Sequence, residues 1–430
     1  MRIGIGVDRM HADGSGVADW AADRPSGRSL KALQLALQKT TEVLANELGN
    51  PTATAPTWPE AEWVVARAVA AIHGVSPLLA DTLRWHGPVA WVRFLAEQKA
   101  HTAQRFQRIE QLLQRMARQG YEAGVALVPL KGAALHAMGI YAAGERPMAD
   151  IDLLVREEQS RRAIEVLVGL GFLETYRTWK HRVFEQSGDA APVALGEHAR
   201  NGIKLELHCR IGEVLPRRVV DVTEIVVPQS LHPGLNSYPS KAALLIHLVL
   251  HAAGALIARR LRLLQLHDIA RVSARMVDED WEELLRRTAR SANGGLWWAF
   301  PPLALAARYY GCVPDRVLTC AASDCHWTLR RVYRRRQLSG ASYSHLWVSA
   351  FPGIEWARSP RAMFEYAAAR VVPSAETVYL RKVFASVQPR VSGGTWAQLS
   401  QRQRMLRWMT SRQARQETLQ PVRAALREAR

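Results

Sequence analysis

The sequence predicts an α+β fold in which a small mixed sheet is embedded between helical N-terminal and C-terminal regions. Two observations indicate this fold. Apolar residues recur at helical spacing on both sides of a central stretch, residues 121–237. Within that stretch, short apolar runs alternate with helical segments and glycine-containing joints, which is typical of strands in an α/β unit. Hydrophobic residues make up 48% and charged residues 22% of the chain, which is the composition of a globular protein.

The N-terminal part is expected to contain a leader and then a helical region. Residues 1–27 are rich in Gly, Asp and Ser, and we interpret them as a flexible leader. The helical region, 28–120, is predicted to hold four helices, at 29–48, 58–72, 77–85 and 91–118. Gly120 is expected to stop the last and longest of them.

The α/β core is predicted over residues 121–237. Its strands are expected at 125–130, 150–155, 172–177, 181–186, 191–197 and 203–211. A helix is predicted over 131–140, and a second starts at Glu157 and ends at the glycines Gly169 and Gly171. Two helical regions follow: 238–330, which is expected to pack on the core, and a basic region over 331–430.

The chain is strongly basic, with 57 Lys and Arg against 39 Asp and Glu, a formal net charge of +18. This excess favours contact with an anionic partner such as a nucleotide or a nucleic acid. It is equally typical of proteins in which arginine replaces lysine on solvated faces. Four scattered cysteines provide no disulfide framework, and no apolar stretch is long enough for a membrane span. We therefore expect a cytoplasmic protein.

The chemistry is concentrated in the segment "DIDLLV", residues 150–155. Because side chains alternate along a strand, Asp150 and Asp152 point to one face, while Ile151 and Leu153 point to the other. Two carboxylates this close repel each other unless a cation lies between them. Carboxylates, waters and substrate phosphates are the ligands that Mg²⁺ prefers. The pair is therefore a candidate metal site for Mg²⁺ or Mn²⁺.

A second strand, "IKLELH", has the same alternation. If it pairs beside the first strand, Glu206 becomes a third carboxylate at the same metal centre, as two-metal chemistry requires. An alternating polar pattern is also typical of any half-exposed strand. His208 would share the face of Glu206, as a base or substrate contact or as a hydrogen-bonded structural histidine.

A phosphate site is predicted just upstream of the carboxylates. Lys131 and Gly132 join a strand to a helix, so Gly132 would let the backbone approach a phosphate and Lys131 would add a charge. Arg146 precedes Asp150 by four residues and would reach the same anion, or pair with Glu145 or with the aspartates.

These residues together resemble the polymerase-β-type nucleotidyltransferase superfamily, in its branch of uncharacterised nucleotidyltransferases. The resemblance rests on "PLKGAALHAMGIYAAGERPMADIDLLV", the helix end "LVGLGF" and the strand "KLELH", and it covers roughly residues 95 to 290. It implies that Asp150, Asp152 and Glu206 hold metal and that Lys131 and Gly132 stand in the phosphate loop. Better-studied relatives carry Gly-Ser or Gly-Gly in that loop, and fewer residues separate it from the aspartate pair.

From the residues and the resemblance we predict a metal-dependent transferase. It would move a nucleoside monophosphate from a nucleoside triphosphate such as ATP to an acceptor hydroxyl or phosphate on a protein, peptide or small molecule, releasing pyrophosphate. The alternative is a catalytically silent module whose basic helices bind nucleic acid or a protein partner. Such a module would have no reason to keep the three carboxylates on one face.

Overall fold

A computed structural model describes residues 27–186, 195–289, 294–375, 377–379, 382 and 399–429. Residues 1–26 of the predicted leader and the first part of the strand expected at 191–197 lie outside these residues, and Gly27 is the first residue of a helix. The remaining part of that strand, 195–197, has no strand geometry. The predicted α+β class is confirmed: a six-stranded mixed sheet lies between helical regions.

From residue 27 onwards, where the described part of the chain begins, four helices precede the sheet: α1 (Gly27–Gly49), α2 (Glu60–His73), α3 (Ser76–Thr82) and α4 (Val89–Glu122). The expectation that Gly120 stops α4 is wrong. Gly120 lies inside the helix and is buried. The neighbouring backbone is close to it: a Cβ at this position would lie 3.3 Å from Val125 O and 3.5 Å from the backbone of Gly234. The chain leaves the helix at Gly124, which adopts the left-handed conformation with φ +66°.

The sheet has the strand order β3-β4-β5-β2-β1-β8. Its strands are β1 (Ala126–Pro129), β2 (Asp150–Leu154), β3 (Phe172–Arg177), β4 (His181–Gln186), β5 (Lys204–His208) and β8 (Gly234–Leu235). A separate ribbon consists of β6 (Gly212–Leu215) and β7 (Arg218–Asp221). The short helices α5 (Lys131–Ala137), α6 (Ser160–Gly169) and α7 (Thr223–Val226) connect the strands.

Within the described residues, ten helices follow the sheet: α8 (Lys241–Ile257), α9 (Leu263–Ser273), α10 (Asp278–Ala289), α11 (Phe300–Tyr310), α12 (Asp315–Asp324), α13 (Trp327–Tyr333), α14 (Leu338–Ala341), α15 (Pro360–Val371), α16 (Gln401–Thr410) and α17 (Gln416–Glu428). Among the described helices, no single one is both long and apolar enough to cross a membrane; the bent pair α2–α3 passes by length and composition alone.

The two faces of the sheet differ in polarity. One face packs against α4 and α6 and forms an apolar core that includes Ile151, Leu153, Leu205 and Leu207. The opposite face carries the polar residues of β2 and β5. A larger core joins the helices, from α1 through α8 and α9 to α17. The apolar side of the sheet is therefore covered by α4 and α6, and its polar side faces the other helices of the molecule.

Candidate functional site

The pairing of β2 with β5 brings the predicted carboxylates onto one face. The two strands run parallel, with Asp150 opposite Lys204 and Asp152 opposite Glu206. Ile151 is fully buried on the apolar side, so the alternation of a strand directs Asp150, Asp152 and Glu206 to the polar side. The three acidic residues therefore lie on adjacent strands and share one surface of the sheet.

Asp152 is the most enclosed of the three carboxylates, with 3% of its surface exposed. Its Oδ1 lies 2.6 Å from Nζ of Lys131 and 2.9 Å from Nε2 of His208. Burial alone would raise the pKa of Asp152, but the charge of Lys131 and the hydrogen bond from His208 hold it well below its usual range. One oxygen of Asp152 is thus already engaged by two donors.

Asp150 has the opposite electrostatic environment. Burial, followed by the negative charges of Asp152 and Glu206, raises the pKa of Asp150 to about 6. Burial is the largest cause, and among the charged neighbours Asp152 and Glu206 each affect this pKa more than Lys131 does. Carboxylate oxygens with excess negative charge are a suitable ligand set for a hard divalent ion. The residues therefore fit Mg²⁺ or Mn²⁺.

The predicted phosphate turn has an unusual backbone at Lys131. Its φ is +47°, a left-handed conformation that residues with a side chain rarely adopt, and α5 begins at this residue. Gly132, the next residue, is buried within α5. A Cβ at Gly132 would lie 2.4 Å from Nη1 of Arg146 and 2.8 Å from Cγ of Met148. Gly132 therefore provides room for Arg146, and its contact with phosphate stays a prediction.

Arg146 lies in a buried ion pair with Asp268 of α9. Its Nε and Nη2 donate to the two carboxylate oxygens at 2.8 Å and 2.7 Å, and the hydroxyl of Tyr141 donates to Oδ1 at 2.9 Å. This bidentate arrangement fixes the segment before β2 to the helix that follows the sheet. The structure thus pairs Arg146 with neither Glu145 nor the aspartates of β2, and its role in phosphate binding stays a prediction.

A family model described as "Uncharacterised nucleotidyltransferase" matches residues 59–295, more than half of the chain, and these residues include β1, β2 and β5. The chain belongs to this nucleotidyltransferase family. No curated protein and no solved structure matches it. The protein is accordingly an enzyme that transfers phosphorus-containing groups.

The sequence analysis missed a residue that positions the carboxylates of this nucleotidyltransferase. Arg105 of α4 is buried and donates to four carbonyl oxygens: those of Met148 and Ala149, just before β2, at 3.0 Å, and those of Asn201 and Gly202, just before β5, at 2.5 Å and 3.0 Å. The Arg105 guanidinium also lies 3.1 Å from Glu197. One side chain therefore fixes the beginnings of both acidic strands. Its position on the amphipathic α4 provides no signal for this role.

The nucleotidyltransferase has an open cleft of about 590 Å³ where β2 and β5 end. Arg156 and Arg210 line this cleft, together with Cys209 and Thr223. Arg210 also lines a smaller cavity, which reaches Lys131 and His208 beside the carboxylates. None of the three carboxylates lines the cleft itself, and Arg210 is the residue that it shares with the smaller cavity.

Proposed function

We propose that this nucleotidyltransferase moves a nucleoside monophosphate from a nucleoside triphosphate, such as ATP, to an acceptor. Asp150, Asp152 and Glu206 would hold Mg²⁺ or Mn²⁺. The observation that supports this most is the parallel register of β2 and β5, which sets Asp152 opposite Glu206 and beside Asp150. Burial, and then the charges of Asp152 and Glu206, raise the pKa of Asp150. When bound, the metal would supply stabilisation of the triphosphate charge and activation of the attacking hydroxyl.

The transfer follows the chemistry of a displacement at phosphorus. An acceptor oxygen attacks the α-phosphorus, the bond from that phosphorus to the bridging oxygen of the β-phosphate breaks, and pyrophosphate leaves with the electron pair. The proton of an attacking hydroxyl passes to the carboxylate cluster or to water. Lys131, 2.6 Å from Asp152, would keep that carboxylate ionised and oriented throughout.

The phosphates would bind on the basic side of the cluster. Lys131 and Gly132 at the start of α5 and Arg146 behind them would provide this side, and His208 would contact the substrate from β5. The acceptor, a protein, peptide or small molecule, would occupy the cleft where β2 and β5 end. Its lining is polar and of mixed charge: Arg156, Arg210, Arg287, Glu157, Glu158, Asp221 and Glu224.

The position of a radioactive label tests this proposal. The protein is incubated with each of four nucleoside triphosphates, labelled at the α-phosphate or at the γ-phosphate, with Mg²⁺ or Mn²⁺ and a cell extract. We expect the α-label to appear in an acceptor and the γ-label only in pyrophosphate. Transfer of the γ-label would identify a kinase, and no α-label transfer under any condition would support the catalytically silent alternative.

Two variants make the experiment specific to the carboxylate cluster. Asp150→Asn should lower α-label transfer roughly a thousandfold, because it removes one metal-binding charge. Asp81→Asn is the matched control, since Asp81 lies in an exposed ion pair with Lys99 of α4. Equal losses in both variants would contradict the assignment of the metal site to β2.

A further inference from the structure

A second group of metal-ligating side chains lies beside the carboxylate cluster, on β4 and β5. His181, the first residue of β4, pairs across the strands with His208, the last residue of β5. Glu206 lies two residues before His208, on the same face. One atom from each residue, His181 Nδ1, Glu206 Oε2 and His208 Nε2, lies within 4.8 Å of the other two. We call these three residues the histidine cluster.

The distances in the histidine cluster approach those of a metal site. Oε2 of Glu206 lies 3.6 Å from Nδ1 of His181 and 3.5 Å from Nε2 of His208. In a tetrahedral site with metal–ligand distances of about 2.0–2.1 Å, neighbouring ligand atoms are roughly 3.4 Å apart. Two of the three edges therefore match within a few tenths of an ångström. The third, between the two ring nitrogens, closes by a side-chain rotation at most.

The imidazole ring of His181 has a buried nitrogen atom that forms no hydrogen bond with the described residues. Its side chain is 12% exposed, and its Nδ1 is buried with no hydrogen-bond partner among the described residues. A buried polar nitrogen without a partner is costly, and a bound ion would remove that cost.

The donor set distinguishes this site from the one at Asp150 and Asp152. Mg²⁺ prefers oxygen ligands, whereas imidazole nitrogens suit zinc and the neighbouring transition metals. Two histidines and one carboxylate are the protein ligands found in one type of catalytic zinc site. The remaining oxygen ligands of Asp150 and Asp152 stay available for Mg²⁺.

We propose that His181, Glu206 and His208 bind a transition-metal ion of the Zn²⁺ class, next to the Mg²⁺ site and sharing Glu206 with it. The proposal rests on the proposed function in one respect only, namely that Glu206 is also a ligand of the Mg²⁺ site. Binding requires His208 Nε2 to turn from Asp152 Oδ1, now 2.9 Å away, towards the metal. Lys131 remains on that oxygen and keeps Asp152 paired.

Metal titration of the full chain, stripped with a chelator, tests the proposal. Zn²⁺ binding is followed by calorimetry, and Co²⁺ binding by the visible absorption that a tetrahedral Co²⁺ ion shows. We expect one equivalent to bind, with an affinity at least about 100-fold above that for Mg²⁺. His181→Ala should weaken Zn²⁺ binding by about 100-fold or more, while His232→Ala, an exposed histidine, should leave it unchanged.

A measurement on the unaltered protein covers the case in which His181→Ala fails to fold. Pulsed electron paramagnetic resonance with Cu²⁺ in place of Zn²⁺ should show coupling to imidazole nitrogen. Spectra without nitrogen coupling, or equal Zn²⁺ affinity in His181→Ala and the wild type, would overturn the proposal. Neither experiment needs nucleotide. A protein that binds Zn²⁺ but transfers no label therefore refutes the proposed function alone, and one that transfers label but binds no Zn²⁺ refutes this inference alone.

Discussion

At the scale of single residues, two aspartates that are two positions apart have opposite roles in stability. Asp152 is paired with Lys131 and His208, whereas Asp150 is repelled by the other carboxylates. The sequence alone suggests that replacing Asp152 by Asn hardly affects stability, because it relieves repulsion. The pairing of Asp152 with Lys131 and His208 reverses this expectation. The substitution that should relieve repulsion is the one at Asp150.

The first prediction concerns Asp150→Asn in the metal-free protein. Folding raises the pKa of Asp150 from 3.8 to about 6, so its contribution favours the folded state at low pH and is lost as the pH rises through 6. The variant should therefore be more stable than the wild type at pH 7.5, by about 1–3 kcal/mol. Near pH 4 the difference should vanish. Urea unfolding of chelator-treated protein at both pH values measures this; a difference independent of pH would contradict it.

The second prediction concerns Asp152→Asn. Removing its charge leaves Lys131 buried without its counter-ion, so the variant should lose about 3–5 kcal/mol of unfolding free energy. The double variant Lys131→Met with Asp152→Asn should lose less than the sum of the two single changes, because the two residues act on each other. Urea unfolding of all three proteins gives the coupling energy. Additive losses would show that the ion pair does not form in solution.

The sequence supports prediction of part of this site. Strand alternation is sufficient to place Asp150, Asp152 and Glu206 on one face once their strands pair. The side chains with which these and neighbouring residues form ion pairs cannot be predicted in this way. Lys131 reaches Asp152 across 21 positions, and Arg146 reaches Asp268 across 122. Local periodicity contains no information on contacts at such separations, which depend on how the helices pack on the sheet.

At the scale of elements, α4 holds the acidic strands in position. Its Arg105 donates to carbonyl groups just before β2 and just before β5, so a single guanidinium connects three elements. The fork of an arginine can satisfy several acceptors at once, which a lysine ammonium cannot do with the same geometry.

The third prediction is that Arg105→Lys destabilises the protein and loosens the carboxylate cluster. Losing two or more buried hydrogen bonds should cost about 2–4 kcal/mol. Because the starts of β2 and β5 are then less well fixed, Mn²⁺ should bind more weakly as well. Unfolding and Mn²⁺ calorimetry measure the two effects. Arg115→Lys, at an exposed position on the same helix, is the control, and equal behaviour of the two variants would refute the role of Arg105.

Element prediction succeeded where the local pattern determines the structure. The strands at 172–177 and 181–186 have the predicted bounds, because two short segments joined by three residues pair in a local hairpin. It failed at Gly120, where packing against Gly234 keeps the helix intact, and it missed the ribbon of β6 and β7. The first failure comes from a tertiary contact that outweighs local preference. The missed ribbon is a local hairpin in which two residues join the strands.

At the scale of the whole molecule, the helical core extends beyond the family match. Helix α17 packs on α2, with Leu419, Val422 and Ala425 buried. Nη2 of Arg67 in α2 donates to the carbonyl oxygen of Ala425 at 3.2 Å, and the backbone N–H of Leu195 donates to Glu428 at 3.2 Å. The family-matched residues 59–295 therefore contain only part of the core that they belong to.

The fourth prediction follows from this packing. Leu419→Ala should cost about 2–5 kcal/mol, because its side chain is 2% exposed within the helical core. A fragment of residues 59–295 should lack a cooperative unfolding transition. Leu406→Ala, at an exposed position of α16, is the control for the substitution. Thermal unfolding of the two variants and of the fragment is followed by circular dichroism. A fragment that unfolds cooperatively would show that residues 59–295 form a stable core without α17.

The contact between α2 and α17 also has a consequence for biosynthesis. Arg67 and Ala425 are separated by 358 residues, so the ribosome makes α2 long before its partner helix exists. During that interval the apolar face of α2 is uncovered, and such surfaces are the ones that aggregate or recruit chaperones. Closing so long a loop also slows folding. The N-terminal helices would therefore mature late, and chaperone supply should limit the yield of native protein when it is expressed rapidly.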